Sequence, residues 1–144
     1  MSQLQEHAER FPEKTALIDA RSGEQMTFAE LNVRSIQCVR LLQSLGLEFG
    51  DHVAVMTENI MEAIVVAWAT KRAGLYLTPI NWHLSADEAE YVVQDCMAKW
   101  LLVSPGVGDV ADRLAENLDG DVSLWTTGAG DRRYSHFSDG LALQ

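Results

Sequence analysis

Short apolar runs alternate with helical patterns along most of this chain, and that alternation restricts it to a small set of folds. The runs are residues 52–57 (His-Val-Ala-Val-Met-Thr), 76–80, 100–103 and 122–125. Runs this short, apolar at most positions, suit strands buried on both faces of a sheet. Ahead of the first run, Phe28, Leu31, Ser35, Val39, Leu42 and Leu45 recur at spacings of three and four, which is the period of one helix face. Thr27 and Glu30 have capping-box spacing, in which hydroxyl and carboxylate each satisfy one free backbone N–H. Gly46 supplies a left-handed stop. A second helix is predicted over about 60–73, with Asn59 and Glu62 at the cap spacing and Gly74 at its end. It is apolar nearly all round from 60 to 69 apart from Glu62, which predicts burial on several sides. Ser85 and Glu88 repeat the box and open a helix with Ala89, Val92, Val93 and Cys96 on one face. Val110, Ala111, Leu114 and Leu118 mark a further helix that stops at Asp119-Gly120, and a short helix is predicted from Ser135 onward.

Strands and helices in this order build repeated βαβ units. The predicted fold is therefore α/β, a mostly parallel sheet with helices on both faces. Upstream, residues 15–20 and 25–28 flank Arg21-Ser22-Gly23-Glu24, the pattern of an antiparallel hairpin added before the sheet. No repeat, linker or internal boundary interrupts residues 1–144, which read as one unit.

Charge narrows the partners. Lys and Arg total 11 against 21 Asp and Glu, a net charge of −10. Such a surface repels phosphate backbones, so nucleic acid is not expected as a partner, and anionic lipid is not attracted either. No run approaches the ~20 apolar residues that span a bilayer. No basic stretch leading into an apolar one marks a secretion signal near the start. Cys38 and Cys96 sit in helical patterns without C-x-x-C spacing, as reduced core thiols of a cytoplasmic protein do.

In open parallel sheets, ligands bind where strands end and loops lead into helices. Four such loops are predicted. Thr57-Glu58-Asn59 offers only cap chemistry. Residues 106–111 (Gly-Val-Gly-Asp-Val-Ala) formally fit the dinucleotide fingerprint, but Asp109 puts negative charge where pyrophosphate should meet a helix start. Thr126-Thr127-Gly128-Ala129-Gly130, followed by Asp131-Arg132-Arg133, invites a phosphate-loop reading but lacks the lysine and hydroxyl of a Walker loop. Asn81-Trp82-His83-Leu84 is the least ordinary, with an imidazole able to reach an anion. His7, His52 and His136 have no metal-ligand spacing, and no nucleophile elbow occurs, so neither a metal site nor a catalytic residue is expected.

Five segments in order carry a resemblance. They are Phe11-Pro12-Glu13-Lys14-Thr15-Ala16-Leu17, Met26-Thr27-Phe28-Ala29-Glu30-Leu31-Asn32, and residues 45–55 (Leu-Gly-Leu-Glu-Phe-Gly-Asp-His-Val-Ala-Val). Ala67-Trp68-Ala69-Thr70-Lys71-Arg72-Ala73-Gly74 and Thr78-Pro79-Ile80-Asn81-Trp82-His83-Leu84-Ser85 follow. The series resembles the beginning of the adenylate-forming enzymes, the acyl-CoA synthetase and luciferase superfamily, particularly fatty-acyl-CoA ligases. The resemblance is clearest over residues 11–103. It implies a parent enzyme that uses ATP, Mg2+ and CoA to turn a carboxylic acid, fatty acids foremost, into an acyl-adenylate and then a thioester. The family's phosphate-binding loop, ending in Pro-Lys, and its catalytic lysine have no counterpart within these residues. The chain is accordingly expected to be the first lobe of a larger N-terminal domain, inactive alone and prone to self-association through an uncovered apolar face. The alternatives are a stand-alone nucleotide-binding module using 106–111 and a protein-interaction module. Some family ligases have Asn-Pro-Arg-Leu where this chain has Asn81-Trp82-His83-Leu84, with the arginine near the phosphates of the CoA nucleotide. The resemblance therefore implies that His83, with Asn81 and Trp82, forms a CoA-side loop.

Overall fold

The computed structural model describes residues 3–118, 120–130 and 133–144. The expected stop at Asp119, and Asp131 and Arg132 of the glycine-rich loop, lie outside the described residues. Strands β3 (His52–Met56), β4 (Tyr76–Pro79), β5 (Ala98–Val103), β6 (Ser123–Thr126) and β7 (Ser135–His136) form one parallel sheet in the order β4-β3-β5-β6-β7. The hairpin, β1 (Thr15–Ile18) and β2 (Gln25–Thr27), is a separate antiparallel pair rather than an extension of that sheet.

Period-two alternation along the central strands divides the core. Val53, Val55, Trp100, Leu102 and Trp125 face one side, where α2 (Phe28–Ser44), α3 (Met61–Ala73), α1 (Gln3–Arg10) and α6 (Phe137–Ala142) pack. Ala54, Met56, Leu101 and Val103 face the other, against α4 (Ala86–Asp95) and α5 (Asp109–Asn117). The result is three layers with the sheet buried between helices, the arrangement that near-continuous apolar strands require.

Two of the three predicted capping boxes are present. Glu30 N–H donates to Thr27 Oγ1 at 3.2 Å while Thr27 N–H donates to Glu30 Oε2 at 2.7 Å. Ser85 and Glu88 make the same exchange at 3.4 and 2.9 Å. The third fails, because α3 starts one residue late. Its cap is Ile60, which makes no side-chain cap bond, so Ala63 rather than Glu62 takes the third helical position and the exchange has no carboxylate. The burial expected for α3 is also incomplete: Val65, Val66, Ala69 and Thr70 are buried, but Ile64 is 40% exposed.

Three elements differ from expectation at their ends. α1 carries only Leu4 and Ala8 as buried residues, too sparse a stripe to declare itself. β7 is a two-residue strand where a helix start is predicted, and the helix begins after it, at Phe137. β5 begins at Ala98, two residues early, because Met97 turns the chain out of α4 with φ +54°. Gly46 (φ +85°) and Gly74 (φ +68°) adopt the predicted left-handed conformation. Both cysteines are free thiols. Cys38 is buried, which pushes its pKa up to about 12, whereas Cys96 is half-buried at the end of α4. Among the described residues no helix is long and apolar enough to cross a membrane.

Candidate functional site

Strand order locates the site. From β3 the chain crosses through α3 to β4 on one side, then through α4 to β5 on the other, so β3 and β5 bracket the point where the winding reverses. Doubly wound sheets bind ligands at the carboxyl ends of such strands. A cleft of about 730 Å³ opens beside this point, at the ends of β3 and β4. Its size and mostly apolar walls fall within the range of small-molecule sites.

One wall is the hairpin tip. The Asp19 carboxylate accepts from the backbone N–H groups of Arg21 (2.8 Å) and Ser22 (3.1 Å), folding residues 19–23 into a tight turn. These bonds, Ser22 first, hold the Asp19 carboxyl below its ordinary range. The opposite wall is the first turn of α3, with Ile60, Met61 and Ile64, and Trp82 reaches in from the loop after β4. The open side of α3 is therefore a wall of the cleft.

Beside the cleft, at the winding reversal itself, stands Glu58. Its carboxylate accepts a short hydrogen bond from Ser104 Oγ, and its backbone N–H donates to the same oxygen at 3.3 Å. Ser104 is buried, only 2% exposed, at the end of β5. Arg21 Nη1 lies 3.8 Å from Glu58 Oε1, tying the hairpin tip to the sheet. The Ser104 bond first, then Glu58's own backbone N–H, the Arg21 charge and Gly106, hold the Glu58 carboxyl below its ordinary 4.5 against a partly opposing cost of burial. A Cβ placed on Gly106 would collide with this carboxylate. The close approach that glycine permits at the formal fingerprint thus serves Glu58. Gly106 itself lies in a single 3-10 turn, Pro105–Val107, with Gly108 as the cap of α5.

The glycine-rich loop after β6 faces a second, smaller cavity of about 130 Å³ shared with the loop after β5. Thr126 Oγ1 accepts from Gly128 N–H at 3.1 Å and closes the loop on itself. Arg133 donates to Asp112 at 2.7 Å, so this guanidinium is turned to α5. Among the described residues no group of three His, Cys, Asp or Glu side chains could hold a metal ion.

The loop Asn81-Trp82-His83 divides between inside and outside. Asn81 Oδ1 accepts from His83 N–H at 3.0 Å, a local turn. The rings of Trp82 and His83 lie 3.8 Å apart, centre to centre. Trp82 is half-buried and lines the cleft, whereas Asn81 and His83 are exposed on its outer lip. Arg21, Glu58 and Ser104 carry no signal of a site in the sequence. They sit 37 and 46 positions apart along the chain, and the strand order that joins them carries no local signal.

A doubly wound α/β lobe with a cleft at its winding reversal is a ligand-binding architecture shared by many activities. Sequence likeness narrows it. The family described as AMP-binding enzyme matches residues 4–134, and the chain belongs to that family. It is 27% identical over 124 residues to the long-chain-fatty-acid–CoA ligase FadD13 of Mycobacterium tuberculosis, covering 85% of this chain and 25% of that one. Among solved structures, a long-chain-fatty-acid CoA ligase described as putative, from Rhodopseudomonas palustris, superposes with a TM-score of 0.84 at 27% identity, over 95% of this chain and 34% of that one. The anthranilate CoA ligase AuaEII, in complex with anthranoyl-AMP, superposes with a TM-score of 0.88 at 26% identity, over 98% of this chain and 27% of that one. The chain thus spans about a quarter to a third of the length of these relatives.

Proposed function

We propose that these residues form the first lobe of an ATP-dependent acid–thiol ligase acting on fatty acids. The carboxylate attacks the α-phosphorus of ATP, giving an acyl-adenylate and releasing pyrophosphate. The CoA thiol then attacks the acyl carbon, forming the thioester and releasing AMP. The observation that carries this reading is the family match over residues 4–134 together with likeness to a fatty-acid–CoA ligase along most of the chain. The cytoplasm is the expected compartment.

The lobe's own groups do not fit ATP or Mg2+. The crevice over Gly106 is taken by Glu58, and none of the three prolines (Pro12, Pro79, Pro105) is followed by lysine. The same occupied crevice weighs against a stand-alone nucleotide module built on 106–111. The N-terminal domain is read as continuing past Gln144, with the phosphate chemistry supplied there.

Toward CoA, the lobe offers the lip of the cleft. His83 is exposed and directed by the Asn81 turn, and Trp82 presents an aromatic face beside it. An imidazole N–H at this position can donate one hydrogen bond to a phosphate oxygen. In the full-length protein, His83→Ala is expected to raise the Michaelis constant for CoA by roughly 2–10-fold, the worth of one hydrogen bond. An unchanged constant removes this role.

The reaction itself is tested by ATP–pyrophosphate exchange. The full-length protein is expected to catalyse exchange that depends on added fatty acid, and residues 1–144 alone are expected to catalyse none. No acid-dependent exchange from the full-length protein overturns the ligase reading. Exchange by residues 1–144 alone overturns the division of labour.

A further inference from the structure

We infer that Glu58 is an intramolecular anion seated in an oxyanion cradle, and that the loops after β3 and β5 form a latent phosphate-type site that this side chain keeps filled. The cradle's parts are independent of Glu58's own chemistry. Ser104 Oγ–H is buried at the end of β5 and aimed into the crevice. Gly106, lacking a Cβ, leaves room beside that hydroxyl for whatever sits there. The guanidinium of Arg21 stands 3.8 Å away and is itself 66% exposed, so it can serve a different anion without moving far. A buried hydroxyl and a guanidinium converging on one point, beside a glycine that leaves it open, are donors suited to an oxyanion. The chain's net charge of −10 works against a free anion, whereas a carboxylate already tethered two residues past β3 arrives at no translational cost.

Filling the cradle from within has a structural consequence. The Glu58 side chain contacts the hairpin through Arg21 and the end of β5 through Ser104, so one carboxylate joins the hairpin wall of the cleft to the sheet. The inference concerns this crevice alone and does not depend on the ligase reaction.

The test uses residues 1–144 and inorganic phosphate as the probe. Glu58→Ala empties the cradle and keeps its donors, Glu58→Gln removes the charge with little change of shape, and Ser104→Ala in the Glu58→Ala background removes the buried donor. Calorimetry and thermal unfolding are read against sodium chloride at matched ionic strength. The expected result is saturable phosphate binding by Glu58→Ala at least tenfold tighter than by the parent chain, with a phosphate-dependent rise in Tm that the added Ser104→Ala abolishes. Phosphate binding by the parent chain equal to that of Glu58→Ala would show that Glu58 fills nothing. No gain in Glu58→Ala, or a gain that survives loss of the Ser104 hydroxyl, overturns the cradle. If Glu58→Ala does not fold, Glu58→Ser, which also vacates the cradle, carries the comparison, and the absence of any gain there counts against the inference in the same way.

Discussion

Gly74 and Met97 bring α3 and α4 to an end through the same left-handed turn, at φ +68° and +54°, with opposite chemistry. At Gly74 the absence of a side chain also lets the Phe49 ring lie against the backbone. Phe49 is 88% exposed and free to swing aside, so the cost of Gly74→Ala comes from the backbone: about 1–2 kcal/mol, read by urea denaturation. At Met97 that cost is already present in the native chain, and the side chain is 71% exposed with little packing to lose. Met97→Gly is expected to stabilise by about 0.5–1 kcal/mol once the added freedom of the unfolded chain is subtracted. A lower denaturation midpoint for Met97→Gly would refute this account of the turn. Acid sensitivity belongs to the same scale. The carboxyls of Glu58, Asp51, Asp19, Glu30 and Glu88 are all held below their ordinary values by hydrogen bonds made in the folded state. A depressed folded value means that the stabilisation is complete above the unfolded value and is lost as pH falls through the folded one. For Glu58 the loss begins near its ordinary 4.5, so Tm should fall steeply below that pH. Glu58→Gln should start lower and fall less; parallel curves for the two proteins would remove Glu58 from the effect.

At the scale of elements, local chemistry was readable and long-range arrangement was not. Thr27 with Glu30 and Ser85 with Glu88 satisfy each other within one turn, so spacing alone identifies them. Thr27→Ala and Ser85→Ala should each cost about 1 kcal/mol, additively because the two caps lie on separate helices. Asn59→Ala is the informative contrast. Asn59 has the cap spacing in sequence, yet the helix takes Ile60 as its cap, so this substitution should change the denaturation midpoint by less than half as much as Thr27→Ala. The failure at Asn59 has a physical source in its neighbour. Glu58 is drawn to Ser104, 46 positions away, the chain bends at Glu58 and Asn59, and Ile60 is still extended before the first helical residue. The two-residue strand β7 was illegible for a related reason, since among the described residues it pairs with β6 alone and nothing in Ser135-His136 favours a strand without it. The cleft shares that origin: the loop holding Trp82 and His83 stood out in the sequence, but the wall opposite, Arg21 and Glu58, became visible only once the order β4-β3-β5 was known.

Over the whole molecule, the uncovered apolar surface and the charge oppose each other. Ile18, 64% exposed, and Ile64, 40% exposed, face each other across the cleft, and burying both against a second copy removes apolar area from water. Pairing through sheet edges is a poorer route. The outer edge strand β4 ends in Pro79, which lacks an N–H, and β7 at the other edge is only two residues long. Association of residues 1–144 should therefore run through the cleft face, and the net charge of −10 should oppose it at low salt. Raising ionic strength shortens the range of that repulsion, from a Debye length of about 10 Å at 0.1 M to about 3 Å at 1 M, while leaving apolar burial intact. Light scattering is thus expected to show dimers or larger species that grow with salt, and Ile64→Glu to return the chain to monomer at every salt concentration. Two results decide otherwise. A parent chain that stays monomeric in high salt means that the cleft face needs no cover. Assemblies that persist in Ile64→Glu and dissolve as salt rises place the contact on the charged surface instead.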